Sequence, residues 1–121
     1  MTPTLFSEYL SSLTLNERAR FLIRIASELT IYAREYGATS AGAENSSSRL
    51  KKLTGFNELQ HKILGQASLY LDGEREKVYP VDVFTQIVFQ AAEYYEIAPD
   101  LATAIQYVQQ KTSTKTPGGN V

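Results

Sequence analysis

Apolar side chains recur at intervals of three and four residues along most of the chain, and this period constrains the fold more than any other feature. It is clearest between Leu15 and Tyr36, where one face of a helical wheel is apolar and the opposite face is charged. The apolar members are Leu15, Leu22, Ile25, Ala26, Leu29, Ala33 and Tyr36. No segment has the strict alternation of a half-buried strand. The period therefore predicts an all-α fold.

The first two helices are predicted from their start and stop signals. A short helix is expected over residues 3–11, with Pro3 in its first turn. The second helix begins after Thr14, which forms a capping box with Glu17, and it is expected to stop at Gly37.

A third helix is predicted from residue 48 to residue 71, after a flexible connection over residues 37–48. Asp72 and Gly73 are expected to end it. Its predicted core stripe is Leu53, Phe56, Leu59, Ile63, Leu64, Ala67, Tyr70 and Leu71. Gly55 and Gly65 interrupt this helix, and each marks either a break or a place where another backbone comes close.

Two prolines predict the starts of the last two helices. Pro80 opens the fourth helix, and Pro99 opens the fifth, which is expected to end near Gln110. The predicted core stripe of the fourth helix is Phe84, Ile87, Val88, Ala91 and Tyr95. Residues 1–110 are therefore expected to form one four- to five-helix antiparallel bundle, and residues 111–121 a disordered C-terminal tail.

Composition excludes several classes of protein. The 121 residues include no cysteine, which excludes disulfides and thiolate metal sites. No apolar run is long enough to span a membrane, so no membrane association is predicted. The first residues lack a basic stretch followed by an apolar one, so we expect no signal peptide and a cytoplasmic location.

Charge is distributed unevenly along a chain whose formal net charge is −1. Residues 1–71 hold eight Lys or Arg against six Asp or Glu. Residues 72–110 hold seven acidic residues, and their only bases are Arg75 and Lys77. The C-terminal half is therefore predicted to present an acidic surface.

The inventory of reactive residues argues against catalysis and against a cofactor. The only histidine, His61, follows Glu58 by three residues, as in carboxylate-bridged di-iron bundles, but such a centre needs two copies of the motif. No serine elbow or glycine-rich phosphate loop is present. We expect a protein that is not an enzyme and that holds no metal.

Residues 90–101 and the fifth helix have the spacing of a helix-turn-helix. A recognition helix needs Arg or Lys to meet phosphates and to read guanine, and neither occurs between Val78 and Gln110. Direct nucleic-acid binding by this element is therefore not expected. The basic positions Arg20, Arg24, Lys51 and Lys52 leave an alternative, a dimeric nucleic-acid-associated regulator.

Three apolar residues depart from the helical pattern. On a wheel Phe89 lies on the outer side of the fourth helix, Leu69 lies opposite the core stripe of the third, and Ile31 lies among charged residues of the second. Either the first or fifth helix packs over Leu69 and Phe89, or these residues mark a subunit or partner interface.

A polar residue inside the apolar stripe of the third helix marks a second possible site. Gln60 would need hydrogen-bond partners if it were buried. The alternatives are a structural bond to a neighbouring element and a pocket built from Asn57, Gln60, His61 and Ser68.

Three runs resemble segments of short, uncharacterised bacterial helical proteins: Leu15–Phe21, Phe56–His61 and Tyr79–Phe84. The resemblance covers most of residues 13–95. It implies a bacterial or phage-like, cytoplasmic origin and carries no activity.

The function that these features favour is non-enzymatic protein binding, as a small regulator, adaptor or inhibitor. The predicted contact is the acidic surface of the fourth and fifth helices, with Phe89 as an apolar anchor, and the predicted partner is basic or handles nucleic acid. The polar residues expected around the anchor are Asp82, Gln86, Glu93, Glu96 and Asp100. The alternatives are the dimeric regulator and a bundle that binds a small ligand or metal at Gln60 and His61. A second copy of the chain is also among the expected partners.

Overall fold

The computed structural model describes residues 1–42 and 45–114, and within these ranges it holds five α-helices and no strand. The helices are α1 (Pro3–Ser12), α2 (Leu15–Thr39), α3 (Ser46–Asp72), α4 (Val81–Tyr94) and α5 (Ala98–Thr114). The prediction of an all-α helical bundle is confirmed.

The capping box at the start of α2 is confirmed. Thr14 Oγ1 accepts a hydrogen bond from the Glu17 backbone N–H at 3.2 Å, and Glu17 Oε1 accepts one from the Thr14 backbone N–H at 2.9 Å. The second bond is the main reason why the pKa of Glu17 lies below its ordinary value. Two N–H groups at the start of the helix are thereby satisfied.

The end of α2 lies two residues beyond the predicted stop at Gly37. The helix continues to Thr39, and Ser40 caps it. Arg49 of α3 donates from Nη2 to the Gly37 carbonyl at 2.6 Å and from Nε to Ser40 Oγ at 2.9 Å. A cation that binds the last carbonyls stabilises a helix C-terminus, and this contact between helices was not visible in the local sequence.

The third helix begins two residues earlier than predicted. Asn45 caps it, because Asn45 Oδ1 accepts a hydrogen bond from the Ser48 backbone N–H at 2.8 Å. Its predicted end is confirmed, since α3 stops at Asp72 and Gly73 takes the left-handed conformation with φ of 71°.

The last two helices begin close to their prolines. Pro80 immediately precedes α4 instead of occupying its first turn, and α5 begins at Ala98, one residue before Pro99. The fifth helix ends at Thr114 rather than near Gln110, so the first four residues of the predicted tail are helical. The rest of that tail, residues 115–121, lies outside the described residues.

The two longest helices form an antiparallel pair. The Thr30 hydroxyl of α2 bonds Gln60 Oε1 of α3 at 3.0 Å, while a Cβ at Gly37 would touch Leu53 Cδ2 at 3.8 Å. Residue numbers therefore rise along α2 as they fall along α3. The other helices complete the bundle: α5 packs on α2, α4 packs on α3 and α5, and α1 packs on α4.

The core lies among all five helices. Its largest fully buried side chains are Phe6, Leu10, Leu22, Ile25, Leu29, Phe56, Leu59, Ile63, Phe84, Ile97, Leu101 and Ile105. Three residues predicted for the core of α3 are not in it. Leu53 is only half-buried, Leu64 is 43% exposed and Leu71 is 54% exposed. Leu64 and Leu71 lie on the outer flank of the α2–α3 pair, so the buried stripe of α3 is narrower than its apolar stripe.

Gly55 marks a close approach rather than a break in α3. The helix is continuous through Gly55, which is buried against the residues that follow α4. A Cβ at this position would lie 2.3 Å from Tyr95 Cβ and 3.1 Å from Ile97 Cδ1. The absence of a side chain therefore allows the end of α4 to approach α3. A Cβ at Gly65, in contrast, would meet no atom of the described residues within 4 Å.

No helix among the described residues is both long enough and apolar enough to cross a membrane.

The two glycines of α3 give a matched test of this packing. We expect Gly55→Ala to lower the free energy of unfolding by about 1–3 kcal/mol, because Tyr95 Cβ is fixed to the backbone and cannot rotate away. We expect Gly65→Ala to raise it by up to about 1 kcal/mol, because alanine favours helix and meets nothing there. Urea denaturation measures both, and equal effects would contradict the close approach.

Candidate functional site

Phe89, the predicted anchor of a partner interface, is half-buried by the first helix. Its ring lies 5.6 Å from the ring of Phe6 in α1, and Phe6 itself is fully buried against Phe21 at 6.2 Å. The placement of Phe89 on an open outer face was therefore wrong, and the alternative, that another helix packs over it, holds for α1. A wheel of α4 alone could not reveal this cover.

Asp82 links α1 to α4. Its Oδ1 accepts a hydrogen bond of 2.5 Å from Ser7 Oγ, and Ser7 is buried while Asp82 is exposed. The carboxylate also lies in the first turn of α4, where the helix dipole favours a negative charge. Asp82 is therefore a structural residue whose outer surface is still open to a partner.

Glu96 links the α4–α5 turn to α3. Its Oε2 lies 3.3 Å from Lys51 Nζ, and the same ammonium lies 5.1 Å from the ring centre of Tyr94. Glu96 has φ of 63°, in the left-handed region that non-glycine residues seldom adopt. The turn is thus tight, and much of the charge of Glu96 is balanced by Lys51.

Two other predicted residues are exposed on α4. Glu93 lies near its end, and Gln86 accepts a hydrogen bond from Gln90 Nε2 at 3.2 Å. Asp100, in the first turn of α5, is half-buried, and burial raises its pKa although its own backbone N–H and Lys52 act in the opposite direction.

An exposed stripe runs along α4 on the side away from Phe89. It consists of Val83, Ile87, Gln90 and Tyr94, spaced by four, three and four residues, and we call it the α4 face. Tyr94 is 67% exposed and its ring meets Tyr95 edge-on at 4.9 Å. Sequence reasoning missed this stripe because Ile87 was assigned to the core, whereas it is only half-buried.

Gln60 makes a structural hydrogen bond to a neighbouring helix, which was one of the two interpretations of its position. It is half-buried, and its Oε1 is held by the Thr30 hydroxyl across the α2–α3 pair. Asn57, His61 and Ser68 are exposed on α3. The other interpretation was a pocket along this edge. The structure has an open helix surface there instead, with one internal hydrogen bond.

The remaining apolar departures have different surroundings. Ile31 is exposed on α2, as its wheel position predicted. Leu69 is half-buried and forms part of the wall of a groove at the end of the bundle. This groove, which we call the α3–α4 groove, lies between the start of α2, the end of α3 and residues 73–81.

The basic positions of α2 and α3 do not form one patch. Because Thr30 lies opposite Gln60, Lys51 and Lys52 lie opposite the last turn of α2. Arg20 and Arg24 lie more than about 20 Å away along the same axis. Lys51 is also engaged by Glu96, and Lys52 lies 5.5 Å from the ring centre of Tyr36.

Within the described ranges, no three His, Asp or Glu side chains come together as metal ligands. Comparisons with protein-family models, with curated proteins and with solved structures found no match to this chain.

Asp100 gives a pH-dependent test of the partly buried carboxylate. Because folding raises its pKa, the folded state binds this proton more tightly than the unfolded state does. The contribution of Asp100 to stability is therefore lost as the pH rises through its ordinary pKa of 3.8 and beyond. We expect Asp100→Asn to gain stability relative to the wild type between about pH 3 and pH 6.

Urea denaturation across that pH range measures this difference. Glu76→Gln, in the exposed turn between α3 and α4, is the matched control and should show a smaller change. A difference between wild type and Asp100→Asn that stays constant with pH would contradict the assignment.

Proposed function

We propose that the protein is a non-enzymatic interaction module that binds a protein partner through the α4 face and the acidic residues beside it. The observation that carries this proposal is the α4 face, a largely exposed and mostly apolar stripe in a segment without Lys or Arg from Val78 to Gln110. Protein interfaces commonly combine an apolar centre with a polar rim, and tyrosine is enriched among the residues that dominate binding.

The contact that we propose differs from the one expected from sequence in its anchor. Val83 and Tyr94 replace Phe89, which contacts α1. The rim is formed by Asp82, Gln86 and Glu93, which share the exposed surface of α4 beside the stripe. A partner with an apolar ridge flanked by Lys or Arg would complement this arrangement.

The same surface argues against a polyanion as the partner. A nucleic-acid phosphate would meet Asp82 and Glu93 without any neighbouring arginine or lysine on α4 or the first three turns of α5. The alternative basic site on α2 and α3 is divided between the two ends of the pair. A regulator or inhibitor that occupies the basic groove of another protein agrees better with these charges.

Two exposed residues of equal accessibility allow a matched test of the α4 face. Val83 and Ile31 are each 45% exposed, on α4 and α2 respectively. We expect Val83→Asp to abolish recovery of the partner in affinity purification, because a carboxylate would be desolvated within the apolar contact. Ile31→Asp should leave recovery unchanged, and wild-type complexes should dissociate with increasing salt.

Circular dichroism would establish that both variants are folded. Recovery of the same proteins, in the same amounts, with Val83→Asp and with wild type would exclude the α4 face as the contact.

We also propose that two copies of the chain associate through the outer face of the α2–α3 pair. On α3, Leu50, Asn57, Leu64 and Leu71 follow one another at seven-residue intervals, and the three leucines are exposed. Ile23 of α2 is exposed and lies seven residues before Thr30, so both residues are on the same side of α2. Thr30 hydrogen-bonds Gln60 of α3, and Ile23 therefore lies beside the outer face of α3. A heptad of exposed leucines is typical of a helix that packs against another helix.

The dimensions of this face agree with those of a stable dimer. Helices of 25 and 27 residues are about 40 Å long, and two adjacent axes present a surface about 20 Å wide. A contact that used the whole face would cover roughly 800 Å² per copy, which is the size range of a standard interface. In an antiparallel arrangement Leu50 would meet Leu71 of the second copy, and Asn57 would meet Leu64.

Leu64→Glu tests the dimer. We expect light scattering to give twice the chain mass of 13.5 kDa for the wild type and the mass of one chain for the variant. A buried carboxylate near the centre of an apolar contact is strongly unfavourable. Leu5→Glu, on the exposed side of α1, is the control and should remain a dimer. A wild-type protein with the mass of one chain would contradict the proposal.

A further inference from the structure

The α3–α4 groove is a concave site of about 260 Å³ that neither proposed interface uses. Its apolar walls come from three different parts of the chain: α2, the end of α3, and the segment that leads into α4. The apolar and aromatic residues that line it are Leu15, Leu69, Tyr70, Val78, Tyr79, Pro80 and Val81. Such a volume admits a compact apolar group the size of an amino-acid side chain.

The buried amide of Gln66 fixes one wall of the groove. Its Nε2 donates to the Tyr79 carbonyl at 2.8 Å, and its Oε1 accepts from the Tyr79 backbone N–H at 3.1 Å. The same Nε2 lies 3.3 Å from the Tyr70 hydroxyl. Both polar groups of the Tyr79 backbone are thereby satisfied, so the segment before α4 keeps its position without any ligand.

Arg18 brings a fixed positive charge to the lining of the groove. Its Nε donates to the Leu13 carbonyl at 3.2 Å, and its Nη2 donates to the Ser11 carbonyl at 3.1 Å. The guanidinium carbon lies 5.6 Å from the ring centre of Tyr70. No carboxylate forms an ion pair with Arg18 among the described residues, so no acid neutralises the charge of this lining residue.

Arg75 adds a second guanidinium at the rim. It is exposed, and within residues 1–42 and 45–114 its side chain has no hydrogen bond, ion pair or ring contact. The neighbouring acid Glu74 is paired with Lys77 at 3.9 Å. Two arginines thus flank an apolar groove in which no acidic residue takes part in the lining.

We propose that the α3–α4 groove binds a small organic anion, a carboxylate attached to an aromatic or branched aliphatic group. The apolar part would contact Leu69, Val78 and Val81, and the carboxylate would accept hydrogen bonds from Arg75, with Arg18 as the second positive charge. Arginine presents paired donors that match a carboxylate. A neutral ligand would make only the apolar contact with the groove. An anion without an apolar group would interact only with the two arginines.

The test uses two simple probes, phenylacetate and 4-methylpentanoate, with phenylacetamide as the neutral equivalent. Titration is followed by two-dimensional NMR of the backbone amides. We expect saturable shifts confined to residues 69–81 and to Leu15 and Arg18, with dissociation constants in the low-millimolar range or below. Phenylacetamide should bind at least threefold more weakly than phenylacetate.

Arg75→Gln is the decisive variant, because Arg75 is exposed and its loss leaves no internal bond broken. We expect it to weaken phenylacetate binding about threefold to tenfold, which is the range for loss of one charged hydrogen bond at a partly open site. Arg34→Gln removes an exposed arginine of α2 that does not line the groove, and it should leave the affinity unchanged.

Three results would overturn the proposal. The first is the absence of saturable shifts with both carboxylates, and the second is equal affinity for phenylacetate and phenylacetamide. The third is equal weakening by Arg75→Gln and Arg34→Gln, which would show an effect of net charge rather than of the groove. None of these results depends on the α4 face, which lies outside the groove.

Discussion

The antiparallel packing of α2 against α3 is the constraint on which the other elements depend. These two helices are the longest in the chain, and neither could be stable alone without burying its apolar stripe. Their pairing leaves one side for α1, α4 and α5 to cover and another side open. The buried stripe of α2 and the exposed leucines of α3 are therefore two consequences of one arrangement. Leu59 is buried because other helices cover its side, whereas Leu64, five residues later, is exposed.

Local signals in the sequence predicted the bounds of the helices well. Helical-wheel positions predicted the burial of individual side chains less well. The capping box of Thr14 and the left-handed Gly73 are local features, so the residues that form them are visible in sequence. Phe89 and Leu64 were misplaced because a wheel gives the direction of a side chain but not which helix covers it. Gly55 was identified as either a break or a close approach, and only the position of Tyr95 decides between them. The α3–α4 groove could not be predicted, since its walls come from segments far apart in the chain.

The acidic residues of the C-terminal half have two different roles in the folded chain. Asp82 and Glu96 hold neighbouring elements together, through Ser7 and Lys51 respectively. Their charges therefore contribute to the fold as well as to the surface. Glu93 has no such link within residues 1–42 and 45–114, and its charge acts on whatever approaches α4. A count of acidic residues in the sequence could not separate these roles, because the separation depends on which partners the fold supplies.

Both ends of α4 are attached to α3, and this makes the α4 face rigid. Before its start, Gln66 holds both polar groups of the Tyr79 backbone. After its end, Tyr95 packs onto Gly55 at a distance that no larger residue would allow, and Glu96 pairs with Lys51 nearby. A surface that is already ordered before binding loses less conformational entropy when a partner arrives. The α4 face lies between these two attachments and is held in one orientation by contacts outside it. Substitutions within the α4 face can therefore change binding without loosening the helix.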